Sequence, residues 1–226
     1  MAWPRKSGRD VATLFLRLSG PLQAWGTTSR FDERDTQLEP SKSGVLGLVC
    51  AALGRDRAEP VDDLAALRMG VRADREGLVM RDYQTATGAM TAGGRPDADR
   101  TVVSPRYYLA DAAFLVGLEG ADRTLLQTIQ TALRTPRWPL SLGRRAMVPS
   151  VPAWLPDGLR EGDLAIEIRR YPRIAPARDE HRGEPTRVLI EHPTQGALRL
   201  DQPIAPYSER RFGPRFVLSG VVEDVP

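Results

Sequence analysis

Lysine is almost missing from this chain. Of 32 basic residues in 226, only Lys6 and Lys42 are lysine and the other 30 are arginine. A genome that favours arginine codons suffices to explain the count, so position is more informative than number. Cysteine occurs once, at Cys50. A lone cysteine forms no internal disulfide, which fits a reducing cytoplasm, and its apolar surroundings read as a buried small hydrophobe. The only histidines are His181 and His192. There is no Cys/His cluster with metal-ligand spacing, no nucleophile elbow and no G-x-x-x-x-G-K-[ST] loop. No metal and no cofactor is therefore expected. No apolar run approaches the roughly 18 residues that signal a membrane span. The apolar stretch near the start is interrupted by Arg17 and lacks a cleavage site, so it reads as a strand rather than a signal peptide, and no membrane partner is expected. One further absence is local. Between Arg123 and Pro156 there is no Asp or Glu, yet Arg123, Arg134, Arg137, Arg144 and Arg145 fall there. An uncompensated basic stretch suits an anionic partner.

What is present describes a protein with a real core: 41% of residues are hydrophobic and the net charge is only +3. Val11 to Leu18 reads as a strand. Apolar positions 45, 46, 49, 52 and 53 follow the helical period, with Ser41 or Ser43 as cap and Gly54 as stop. A short helix begins at Asp62. Met69–Ala73 and Leu78–Thr85 read as paired strands joined by a turn over 74–77. The glycine-rich segment Ala86–Ser104 reads as a long loop, a length that is usually functional or disordered. Tyr107–Leu109 and Ala112–Leu118 read as strands and Asp122–Leu133 as an amphipathic helix. Beyond Pro149 the segments Leu164–Arg169, Thr186–Glu191, Ala197–Leu200 and Arg215–Val222 read as strands, with Arg169–Pro185 a loop. The order predicts an α+β domain with helices on one side of an antiparallel sheet, built on a ferredoxin-like βαββαβ core with an insertion near its middle.

Two segments carry the chemistry. Pro40-Ser41-Lys42-Ser43-Gly44 opens a helix, where free N–H groups, the dipole, a lysine and two hydroxyls would serve a phosphate. Ordinary serine capping beside a surface lysine is the alternative. Leu142-Gly143-Arg144-Arg145 is a turn whose glycine permits close approach of a ligand and whose arginines can clamp phosphates; a solvated surface pair is the alternative. Trp25 follows a turn, and Tyr83, Tyr107, Tyr108, Trp138 and Trp154 lie near basic segments. Such rings stack on RNA bases or pack under loops.

Read in order, GPLQAWG (20–26), PSKSGVLGL (40–48), RDYQT (81–85), YLADAAF (108–114) and LGRR (142–145) resemble the CRISPR-associated CasD family in its type I-E form, with SERRF (208–212) a late echo. The resemblance implies an RNA-recognition-like (RRM-like) ferredoxin fold with a thumb. The palm would comprise 1–81 and 106–149 and the thumb 82–105. Residues 150–226 would form a β-rich C-terminal extension of a single domain. It also implies a non-catalytic Cascade subunit that holds the 5′ handle of the CRISPR RNA (crRNA) and caps the CasC filament. CasA would be a further partner, and target DNA would be met indirectly through the complex. Trp25, Arg30, Lys42, Ser43, Arg144 and Arg145, with Gln23, Gly44 and Arg106, would then contact the RNA. Thr87, Met90, Arg95 and Arg100 would lie on the thumb against partners. The alternative is a metal-independent endoribonuclease using Tyr83, Lys42 and a histidine; a third possibility is a protein scaffold without RNA contact.

Overall fold

The computed structural model describes residues 11–28, 33–91, 93–223 and 225; Arg30 lies outside them. In chain order the first strands are β1 (Ala12–Ser19), β2 (Leu22–Gln23), β3 (Arg68–Arg75), β4 (Leu78–Thr87) and β5 (Thr101–Ala110). β6 (Ala113–Gly120), β7 (Trp154–Glu161), β8 (Thr186–His192), β9 (Ala197–Pro203) and β10 (Phe212–Val222) follow. The helices are α1 (Lys42–Leu53), α2 (Asp62–Ala65), α3 (Arg123–Arg134) and α4 (Leu164–Arg170). The class is mixed α+β. Among the described residues no helix is long and apolar enough to cross a membrane.

β1 explains the architecture. Its alternate residues Ala12, Leu14, Leu16 and Leu18 enter one core with α1 and α3. Phe15, between them, enters a second core with Leu115, Leu164 and Ile168. A strand apolar on both faces needs cover on both, and β1 lies inside a seven-stranded sheet of order β7-β1-β6-β3-β8-β10-β9. Every neighbouring pair in it is antiparallel. α1 ends at Gly54 in the left-handed conformation, as its sequence predicts.

Two expectations are corrected. Leu164–Arg169 is helix α4, not strand, and it covers the face opposite α1 and α3, so the helices are not confined to one side. Asp163 caps it by accepting from Ala165 N–H at 2.8 Å, and Leu164, Ala165 and Ile168 share its buried face. The 69–73 and 78–85 strands do not pair. β3, buried along most of its length, takes β6 and β8 as neighbours, whereas β4, largely exposed, pairs with β5. Strands from both sides of residue 150 lie in one sheet. β7 pairs with β1, and β8, β10 and β9 extend the same sheet from β3.

Candidate nucleic-acid interface

The segment after β1 turns at Pro21 and forms β2, which pairs with the end of β5. The Gln23 side chain is buried there. Its amide donates to the carbonyls of Leu18 at 3.2 Å and Ala112 at 2.8 Å, and its own carbonyl accepts the Trp25 indole N–H at 3.0 Å. Trp25 is 1% exposed. Both residues, expected at an RNA surface, instead hold the 22–26 segment in place: a fully hydrogen-bonded glutamine and an indole in the core have no face to offer a ligand. The start of α1 packs on that indole. A Cβ at Gly44 would lie 2.8 Å from Trp25 Cε3, so only glycine lets the helix come this close.

Lys42 also differs from expectation. Its side chain is 1% exposed and its amine lies 2.9 and 3.0 Å from the two carboxylate oxygens of Glu191 on β8. Burial lowers its pKa, and Glu191 opposes that. Its backbone N–H donates to Asp201 on β9 at 2.7 Å, and Asp201 is also bound by Arg215 on β10. Ser41 makes no side-chain cap. Carboxylates from the C-terminal strands therefore take the lysine and the first N–H of the helix, the groups that were expected to meet a phosphate.

What remains open is a cleft of about 250 Å³. It is bounded by Ala24–Gly26, by Ser41, Ser43 and Gly44, by Asp35, by Gly143 and Arg144, and by Tyr207 and Phe212. Gly143 is the joint between two of these walls. Its φ is +92°, and a Cβ there would fall 1.7 Å from the Ala24 carbonyl oxygen. Ala24 N–H donates to Leu142 O at 3.0 Å, tying the 142–147 turn to the 22–26 segment. Arg144 leaves this turn with its guanidinium 4.8 Å over the Tyr108 ring and Nη2 donating to the carbonyls of Arg34 and Asp35. Its Nη1, and Nε of neighbouring Arg106 on β5, are buried without a hydrogen-bond partner among the described residues. Burial lowers the Arg144 pKa, contact with Tyr108 opposes this, and the charge of Arg106 adds to the lowering. Arg145 is exposed. Among the described residues one acid, Asp35, lines the cleft. Its Oδ2 accepts from Thr27 N–H, Thr28 N–H and the Thr28 hydroxyl.

The segment expected to be a loop, 86–104, is strand only at its two ends, 86–87 and 101–104. β4 and β5 pair from Leu78↔Ala110 to Thr87↔Thr101, leaving 88–100 as the tip. Thr87 meets Thr101 across the ribbon at 3.3 Å. At the tip Arg100 donates to Met90 O, Thr91 N–H donates to Arg95 O, and Met90 stays 64% exposed. Tyr83 is exposed on this ribbon. His181 pairs with Glu184, and His192 Nδ1 accepts from Thr194 and Gln195 N–H. Among the described residues no hydrogen bond or ion pair joins Tyr83, Lys42 and either histidine.

The family model described as "CRISPR-associated protein (Cas_Cas5)" matches residues 13–218. The chain belongs to the CRISPR-associated Cas5 family. A relative in Escherichia coli (strain K12), "CRISPR system Cascade subunit CasD", is 34% identical over 155 residues, covering 63% of this chain and 69% of the relative. A solved structure described as "Crystal structure of Cas protein" is 47% identical with TM-score 0.75, covering 95% of this chain and all of that one. A chain of a "CRISPR RNA-guided surveillance complex" is 33% identical with TM-score 0.72, covering 93% and 90%. The Cas5 match carries the resemblance past Pro149 and takes in every segment of the cleft. Tyr207 and Phe212, which no motif assigned to a site, thus belong to the Cas5-like part of the chain. The late 208–212 motif was their only sequence signal.

Proposed function

We propose that this chain is the subunit of a type I-E Cascade complex that holds the 5′ handle of the guide RNA. One observation carries the reading. Segments remote in sequence converge on a cleft beside Arg106, Arg144 and exposed Arg145, and among the described residues two guanidinium nitrogens there, Arg144 Nη1 and Arg106 Nε, have no hydrogen-bond partner. Planar guanidinium groups suit RNA phosphates. Ser43, Gly44, Arg106, Arg144 and Arg145 are the contact residues in this reading, with Arg30 an expected addition. Gln23, Trp25 and Lys42 act from beneath by placing these groups. The core is read as ferredoxin-like, supported by the order β7-β1-β6-β3 and by α1 and α3 as crossovers. The β4–β5 ribbon is read as the thumb, with Thr87, Met90, Arg95 and Arg100 toward CasC, CasA and the guide. The role is non-catalytic, and the setting is the cytoplasm.

The test is reconstitution of the complex with an Arg106→Glu/Arg145→Glu variant. Guide incorporation should fall, and the salt dependence of guide binding should flatten by about 0.7 per lost phosphate contact. Unchanged incorporation would overturn the assignment. Specific cleavage of repeat RNA by the pure protein in EDTA would overturn the non-catalytic role.

A further inference from the structure

The arginines account for one side of the cleft; Tyr207 and Phe212, between β9 and β10, form the other. Their ring centroids are 6.3 Å apart at an interplanar angle of 56°. Tyr207 is anchored: its hydroxyl donates to Ser43 O at 2.6 Å, and burial pushes its pKa well above the usual tyrosine value, so it remains a neutral donor. Its segment is fastened to the α1–α2 connection by Ser208 N–H to Arg57 O at 2.9 Å and by Arg57 Nη2 to Tyr207 O at 3.0 Å. Phe212 is different. Its backbone pairs with Pro203, but the side chain is left at 39% exposure on the cleft rim. A fixed tyrosine beside a half-exposed phenylalanine makes an aromatic step, and every nucleobase has a face that can stack on one. The cleft volume lies below the roughly 300 Å³ where pockets for drug-sized ligands begin, so it has room for one ring system rather than a run of bases.

We infer that Phe212 and Tyr207 seat one unpaired nucleobase of the bound RNA, with Phe212 stacked on its face and the adjoining phosphate at Arg144 and Arg145. This rests on the RNA-binding reading above and assigns a base-seating role to the β9–β10 segment.

The experiment is a set of guides, each with one handle nucleotide made abasic, competed against unmodified guide during assembly of the complex. With the native chain, one position should lose incorporation by roughly fivefold to a hundredfold, the range of base–aromatic stacking. Phe212→Ala should cause a similar loss with the unmodified guide and no further loss at that one position, because the two changes remove the same contact. Phe212→Trp should restore incorporation. If Phe212→Ala lowers the melting temperature, Phe212→Leu, which keeps apolar packing without the aromatic face, takes its place. Losses that add at every handle position overturn the inference. Arg106→Glu/Arg145→Glu separates the two levels: a loss of guide there without Phe212 coupling rejects the base seat alone, while no loss rejects the RNA reading.

Discussion

Replacing Lys42 by alanine separates the two accounts of the α1 start. The structure makes its amine half of an ion pair with Glu191, the lysine side chain 1% and the glutamate 19% exposed. Removing one member of a buried pair costs about 3–5 kcal/mol. Two features place Lys42→Ala at the lower end. Glu191 keeps some solvent and a second bond, from Met69 N–H at 3.1 Å. Burial also outweighs Glu191 in lowering the Lys42 pKa, so desolvation offsets part of what the pair gains. We expect a loss of about 3 kcal/mol, the low end of that range, or roughly 6–12 °C in melting temperature for a domain of this size. Replacing both partners, as Lys42→Met/Glu191→Leu, should recover most of the loss, since no charge is left buried alone. The assay is urea denaturation followed by circular dichroism, with guide incorporation measured well below the melting temperature. Incorporation should stay within about twofold of native. An unchanged urea midpoint with incorporation lost would make Lys42 a phosphate ligand and refute the reasoning.

Cys50 is buried, and burial pushes its thiol up from 9.0 to about 11. The unfolded thiol ionises near 9 while the folded one keeps its proton, so stability is unaffected below pH 9 and falls between 9 and 11. The loss reaches about 2–3 kcal/mol, two pH units at about 1.4 kcal/mol each. Cys50→Ala should flatten that alkaline slope in pH-resolved urea titrations, and native Cys50 should resist iodoacetamide until the protein unfolds. Gly143→Ala should destabilise by more than about 1 kcal/mol and lower guide incorporation, because its Cβ would meet the Ala24 carbonyl and displace Arg144; unchanged melting and incorporation would count against the joint between the two walls. Met90→Ser/Arg95→Glu at the ribbon tip should leave the urea midpoint within about 0.5 kcal/mol yet weaken association with neighbouring subunits, read by native mass spectrometry.

Periodicity made much of the fold legible. β1, β3 and β6 announce themselves as short apolar runs buried on both faces, α1 and α3 by the 3.6-residue period, and β10 by alternation. α4 escaped because seven residues with apolar side chains at 164, 165, 166 and 168 look alike as strand or helix until the Asp163 cap is seen. Both strands of the β4–β5 ribbon were legible, but their pairing with each other was not, because β4 is exposed on both faces and carries no burial pattern to separate it from β3. The cleft was visible in pieces: the 20–26 segment, the α1 start and the 142–145 turn are all motifs. Lys42 was misjudged because its partners, Glu191 and Asp201, lie about 150 residues away, a distance at which a sequence offers no pairing rule. Tyr207 and Phe212 reach the cleft only because β9 and β10 extend the main sheet beside α1.

Photo-crosslinking from a guide with thiouridine in its 5′ handle, in the assembled complex, tests the central claim most directly. The account predicts crosslinked peptides from residues 22–26, 143–145 and 207–212 of this chain. Crosslinks confined to the opposite face of the sheet, around α4, or absent from this chain altogether would contradict it.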